Sequence, residues 1–166
     1  REQPGRVEAA EGGTLFLDEI GEITPSLQAK LLRFLEDKEF ERIGENKTRR
    51  ADVRTVAATN RDLEEHVRKG LFREDLLYRL NVIDLKLPPL RERPEDILRL
   101  ARRFLLFFAK AARRHPPELS KAAEDALLAY AWPGNIRELR NAIERAVILW
   151  PGQVIEPAAF PPQIST

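Results

Sequence analysis

Gly12-Gly13-Thr14-Leu15-Phe16-Leu17-Asp18-Glu19 is an apolar run that ends abruptly in two adjacent carboxylates. Four apolar or β-branched residues after two glycines suit a strand buried on both faces of a parallel sheet, where near-continuous hydrophobic sequence replaces alternation. The acids then stand at the strand's carboxyl end, the edge at which open α/β sheets bind ligands. Successive side chains point to opposite faces, so Asp18 and Glu19 would reach a crevice from either side of the sheet. A metal-phosphate site is the natural occupant: Asp18 holds Mg²⁺, directly or through water, and Glu19 activates a water that attacks a terminal phosphate. The same string also reads as a strand followed by a charged turn, and on this segment alone both readings stand.

Outward from that strand, Thr24 can cap a helix with Pro25 at its first position, and Leu27, Leu31, Phe34 and Leu35 recur at helical spacing. Phe40 to Arg50 is polar and basic around Gly44 and Asn46, a loop or hairpin without a core of its own. Val53 to Thr59 reads as a second strand, and it too ends in a polar residue, Asn60, so two strands deliver polar groups to one edge. Asp62 with Glu65 forms a capping box, Gly70 closes that short helix, and Leu71 to Leu80 supplies another helical stretch. Val82 to Leu87 alternates after its first residue and ends at Pro88-Pro89, so its Asp84 and Lys86 suit a partly exposed edge strand. From Arg91 onward the pattern is helical, at about 95–114, 120–130 and 135–149. The tail from Pro151 carries four prolines and reads as a linker. Strands alternating with helices, followed by a small bundle, predict an α/β layer with an all-α companion.

With 166 residues, 43% of them hydrophobic, the chain can bury one ordinary core or a core and a small satellite. Its 28 basic and 27 acidic side chains leave a net charge of +1, so no global field draws it to nucleic acid or anionic lipid. There is no cysteine, hence no disulfide framework or thiolate metal site, and the two histidines, His66 and His115, are too isolated for zinc. No apolar stretch reaches the length of a membrane span and no signal peptide is read, so a cytoplasmic location is expected. A start at Arg1, with no methionine anywhere, suggests a piece of a longer polypeptide.

Five motifs in order, GGTLFLDEIGE, AATN, FREDLLYRLNV, LPPLRERPEDI and WPGNIRELRNAIERA, resemble the NtrC-type AAA+ activators of sigma-54 RNA polymerase. The resemblance covers nearly the whole chain. It implies a partial AAA+ core of parallel strands and flanking helices over residues 1–90, a helical lid over 91–150 and a proline-rich linker over 151–166. It also implies roles residue by residue. Asp18 matches the Walker B aspartate that positions Mg²⁺, and Glu19 the glutamate that polarises the hydrolytic water of an ATPase. Thr59 and Asn60 match sensor I. Arg73 and Arg79 match paired arginine fingers supplied to the neighbouring subunit's nucleotide, an effect worth roughly 10³–10⁵ in rate in other nucleotide hydrolases. On one uninterrupted helix they would stand about 120° apart, flanking a phosphate from different sides or leaving only one in touch with it. Arg137 matches sensor II, in the first turn of a helix that Asn135 can cap. Arg42, Ile43 and Gly44 lie in a segment resembling the second pore loop.

Within the 166 residues there is no G-x-x-x-x-G-K-[ST] and no GAFTGA loop, both upstream of Walker B in the family. The family's phosphate-loop strand lies between the sensor I strand and the edge strand, so a slot with apolar surface is expected, and this piece alone is expected to hydrolyse ATP negligibly. The parent protein is expected to be a ring-forming homo-oligomer that remodels sigma-54 polymerase and reaches DNA only through a further carboxyl-terminal domain. The alternatives are a non-enzymatic assembly fragment or another AAA+ remodeller. Arg91 to Arg114 carries eight basic and three acidic residues, but Ile97, Leu100, Phe104, Phe107 and Phe108 make it an ordinary amphipathic helix with a wet basic face.

Overall fold

The computed structural model describes residues 5–165 apart from Ile43 and Asn46. They fall into two units that divide between Leu85 and Lys86. In the first, a short helix α1 (Arg6–Ala9) precedes β1 (Thr14–Leu17), α2 (Pro25–Asp37), the hairpin β2 (Glu39–Glu41) and β3 (Thr48–Arg50), then β4 (Arg54–Ala57), α3 (Leu63–Arg68) and α4 (Glu74–Leu80). Strands β1 and β4 pair in parallel from Thr14 opposite Arg54 to Leu17 opposite Ala57.

Helix α2 organises this unit. Thr24 caps it by accepting from the Leu27 N–H, Pro25 opens it, and Lys38 in the left-handed region closes it with its N–H on the Phe34 carbonyl. On one flank Phe34 joins Ala51, Val53 and the partly buried Leu15; on the other Leu35 joins Phe72 and Leu76. Each such side chain, fully buried, contributes about 1.5–3 kcal/mol.

Two strand expectations are corrected here. Strand β1 is not buried on both faces: Leu15 and Leu17 are half covered, whereas Phe16 is 59% exposed, with Val56 of β4 also open. Apolar side chains meet helices on one side only, so the alternation of a one-sided sheet replaces burial on both faces. Val82 to Leu87 forms no strand, and its four aliphatic residues are 79–85% exposed. Alternating sequence makes a strand only when another strand accepts its backbone hydrogen bonds, and no strand among the described residues pairs with it. Helix α4 begins at Glu74 rather than Leu71, because the Leu71 and Phe72 N–H groups turn back onto the His66 carbonyl after Gly70 at φ +70°. The capping box is half formed: Asp62 accepts from the Glu65 N–H at 2.9 Å, while the Glu65 carboxylate pairs with Lys69.

The second unit consists of α5 (Pro94–Ala111), β5 (Glu118–Leu119), α6 (Lys121–Ala129), α7 (Asn135–Leu149), β6 (Val154–Ile155) and α8 (Pro162–Ser165). Ile97, Leu105 and Phe108 of α5, Leu127 of α6 and Leu139, Ile143 and Val147 of α7 close around Trp132, whose indole N–H donates to the Leu127 carbonyl. Phe107, expected in the α5 stripe, is exposed, and so is Ile136 in the first turn of α7.

The tail is not a linker. Its β6 pairs in parallel with β5, and Ile155, Phe160 and Ile164 are buried in the same core. Pro157 and Pro162 open a 3₁₀ turn and α8, where a missing N–H and a fixed φ favour helical starts. The prolines therefore fold the tail instead of stiffening it. No helix among the described residues is long and apolar enough to cross a membrane.

Candidate nucleotide-hydrolysis edge

The ends of β1 and β4 are tied by main-chain bonds. Ala58 N–H donates to the Leu17 carbonyl at 2.8 Å and Ile20 N–H returns to the Ala58 carbonyl at 3.0 Å, so Asp18-Glu19 and Thr59-Asn60 leave the sheet together. Both acids are exposed. Asp18 Oδ1 accepts from the Glu19 N–H at 3.0 Å, and Glu19 adopts φ 54°, ψ 41°, a left-handed conformation that costs a side-chain-bearing residue about 1–2 kcal/mol. That bend swings the chain into a 3₁₀ turn, Ile20–Glu22, anchored by the buried Ile20.

Gly21 is needed for the two turns to touch. A Cβ there would stand 2.9 Å from Thr59 Oγ1 and 3.0 Å from Cβ and Cγ of Arg61. Thr59 Oγ1 accepts the Arg61 N–H at 3.0 Å, and Arg61 clamps Glu22 at 2.6 Å. The Asn60 amide has no hydrogen-bond partner among the described residues and is exposed, leaving both a donor and an acceptor for a ligand.

Arg73 is not inside a helix with Arg79. It is the residue before α4, with φ −77° and ψ 133°, so the 120° separation expected on a single helix does not apply. Its guanidinium forms a two-point pair with Asp75, Nε to Oδ1 at 2.9 Å and Nη2 to Oδ2 at 2.7 Å. That hydrogen bond holds the Asp75 carboxyl below the usual aspartate range and raises the pKa of Arg73. Arg79 Nη2 donates to the Leu35 carbonyl at 3.1 Å, in the last turn of α2, where carbonyls lack helical partners.

Gln28 holds the Arg73 backbone, and sequence reasoning passed over it. It is 1% exposed; its Oε1 accepts the Arg73 N–H at 2.9 Å and its Nε2 donates to the carbonyls of Ile23 and Leu71. A signal was present: Gln28 occupies the same spacing as Leu31 and Leu35, and a polar residue on an apolar stripe must bond inside the core.

In the second unit, Arg137 is exposed and has no ion-pair partner among the described residues. It lines a groove of about 650 Å³ with Gly134, Asn141, Arg145, Pro161 and Ile164. Asn135 does not cap this helix. Gly134 is the cap residue, and Asn135, at φ 51°, directs Oδ1 to the Leu90 N–H at 2.8 Å. Glu138 takes over at the helix start, accepting the Gly134 N–H at 2.8 Å and the Tyr130 hydroxyl at 2.9 Å.

At the hairpin, Arg42 pairs with Glu8 of α1 through two bonds of 2.9 Å, and Arg49 pairs with Glu45 at 2.9 Å. The Arg42 contact lowers the pKa of Glu8. Gly44 turns at φ +83°; Ile43 lies outside the described residues.

The sigma-54 interaction domain family matches residues 1–86, and the AAA+ ATPase lid domain matches residues 91–166. The alginate biosynthesis transcriptional regulatory protein AlgB of Pseudomonas putida is 64% identical over 152 residues, 92% of this chain and 34% of the relative. The regulatory protein AtoC of Escherichia coli is 55% identical over 160 residues, 96% of this chain and 35% of the relative. Among solved structures, NtrX from Brucella abortus in complex with ATP superimposes with a TM-score of 0.90 at 39% identity, covering 95% of this chain and 37% of that one. NtrX in complex with ADP gives 0.91 at 38% identity, 96% and 38%. The chain spans about a third of the length of these relatives. With one family over residues 1–86 and an AAA+ lid over 91–166, this chain belongs to the sigma-54 interaction domain family of AAA+ proteins, as a partial α/β core followed by its helical lid.

Proposed function

We propose that this chain supplies the hydrolytic edge, arginine fingers and lid of an ATP-hydrolysing, ring-forming activator that remodels sigma-54 RNA polymerase. The observation that carries the reading is the shared exit of Asp18-Glu19 and Thr59-Asn60 from a parallel strand pair, with both acids open to solvent. The residues fit MgATP. No three His, Cys, Asp or Glu side chains gather to hold a metal among the described residues, and Mg²⁺ asks for fewer, taking one or two carboxylates and completing its shell with phosphate oxygens and water. When bound, the ion neutralises charge building on the transferred phosphoryl group.

In this reading Asp18 holds the ion, Glu19 orients and deprotonates the water, and the free Asn60 amide and the Thr59 hydroxyl position it. Arg73 and Arg79 act on the nucleotide of the next subunit, which requires Arg73 to exchange Asp75 for phosphate. Arg137 touches the nucleotide from the lid. Arg42 and Gly44, with Ile43, form the loop that supports the sigma contact.

By the same reading the 166 residues alone, lacking a phosphate-loop motif, turn over ATP negligibly. The test compares steady-state MgATP hydrolysis by the 166-residue chain with that of the complete reading frame and its Glu19→Gln variant. The expected result is negligible turnover in the first, clear turnover in the second, and a loss of at least about 100-fold on Glu19→Gln with ATP affinity retained. Unchanged turnover in Glu19→Gln overturns the assignment.

A further inference from the structure

The basic surplus of residues 91–114 separates into two sets. Arg91, Arg93 and Arg102 face Glu92, Asp96 and Glu124, and Arg114 donates three hydrogen bonds to the carbonyls of Val147, Trp150 and Gly152. Those four are structural. Arg99, Arg103, Lys110 and Arg113 have no ion-pair partner among the described residues; Arg113 lies beyond the end of α5, and at 100° per residue the other three share the outer face of α5 with Leu106 and Phe107. Phe107 is 61% exposed and Leu106 59%. Nothing in the core requires apolar side chains there, since Phe108, one step round the helix, already fills the interior.

Phe104 and Phe107 form the floor of a groove of about 170 Å³ whose rims are Arg103 of α5 and Arg140 of α7. The Arg140 guanidinium lies 5.1 Å from the centre of the Phe108 ring, and Phe108 meets Phe107 edge to face at 5.2 Å. A cation held against a ring is already oriented, and Arg140 also makes a 3.9 Å ion pair with Glu144 that uses one end of its guanidinium and leaves its other N–H groups for a second carboxylate. The groove thus offers a short apolar floor between two guanidinium forks.

We propose that this face of the lid docks an acidic peptide segment through one bulky apolar side chain, seated on Phe104 and Phe107 with flanking carboxylates on Arg103 and Arg140. The proposal does not depend on the nucleotide reading. An acidic peptide fits better than nucleic acid. The groove has room for one side chain rather than a run of stacked bases, an aliphatic Leu106 is no stacking platform, and the chain's net charge of +1 provides no phosphate-tracking field.

The experiment titrates a short fluorescein-labelled peptide, Asp and Glu around a central Leu-Phe pair, with the 166-residue chain and follows anisotropy. Saturable binding is expected, weakened about tenfold by Arg103→Glu or Arg140→Glu and several-fold by Phe107→Ser, with tryptophan emission unchanged as the folding control. The double variant R103E/R140E should instead bind the matching Lys-substituted peptide, a gain that misfolding cannot produce. Absence of saturation, equal binding of both peptides to the unaltered chain, indifference to the substitutions, or preference for a single-stranded DNA oligonucleotide would each overturn the proposal.

Discussion

The two units handle apolar surface differently. From Leu90 to Ile164 one continuous core runs through three helices and the tail, and Trp132, Leu139 and Ile143 are fully enclosed. Residues before Leu85 have two smaller clusters on either flank of α2, and the sheet face bearing Phe16 and Val56 is left open together with Val82, Ile83 and Leu85. Helices satisfy their own backbones, so a bundle can close by packing side chains alone. A sheet needs neighbouring strands for its backbone and a covering layer for each face, and two strands with helices against one face meet neither demand in full. The lid is therefore the more self-sufficient part, and the edge proposed for hydrolysis stands on the less complete one.

That contrast can be broken most directly in the tail. Phe160→Ala removes a buried ring from the lid core and should cost about 3–5 kcal/mol. Both tryptophans, Trp132 and Trp150, lie in the second unit, so urea unfolding followed by their emission reads this unit alone. An unchanged midpoint would restore the linker reading of the tail.

Gln28→Ala probes the other unit. It removes three hydrogen bonds and leaves the Arg73 N–H without its acceptor, which should cost about 1–3 kcal/mol in the first unit, measured by amide exchange of α2 and α4, with the second unit's exchange unaltered. Equal loss in both units would show that they unfold as one.

Phe16→Lys should change stability by no more than about 0.5 kcal/mol, because the side chain already faces solvent. A loss several times larger, read by amide exchange of β1, would mean that the open face is covered.

The smallest effect is electrostatic. The carboxyl of Asp75 should titrate below 3.8 by NMR and return toward that value in Arg73→Ala. Because its folded pKa is depressed, the contribution of the pair is present above 3.8 and fades as pH falls through the lower folded value, so the variant should lose relative stability only above that window. The pair is half exposed, and solvent screening keeps the change slight.

What the sequence by itself determined was local or motif-borne. Strand β1 and its terminal acids, the Thr24-Pro25 start of α2, the Asp62 cap and the three lid helices are settled within a few residues by hydrophobic period and capping chemistry. The order of five motifs carried the family.

What only the tertiary structure decided depended on a partner distant in the chain. Val82 to Leu87 has a strand's alternation, but no strand among the described residues pairs with it. Phe107 looks like core until Phe108 takes the interior, and the tail's prolines look like a linker until β5 and the Trp132 core receive Ile155 and Phe160. Asn135 looks like a cap until the Leu90 N–H claims it. Local propensity specifies what a segment is able to be, and burial and hydrogen-bond satisfaction, which are properties of pairs, select among those possibilities.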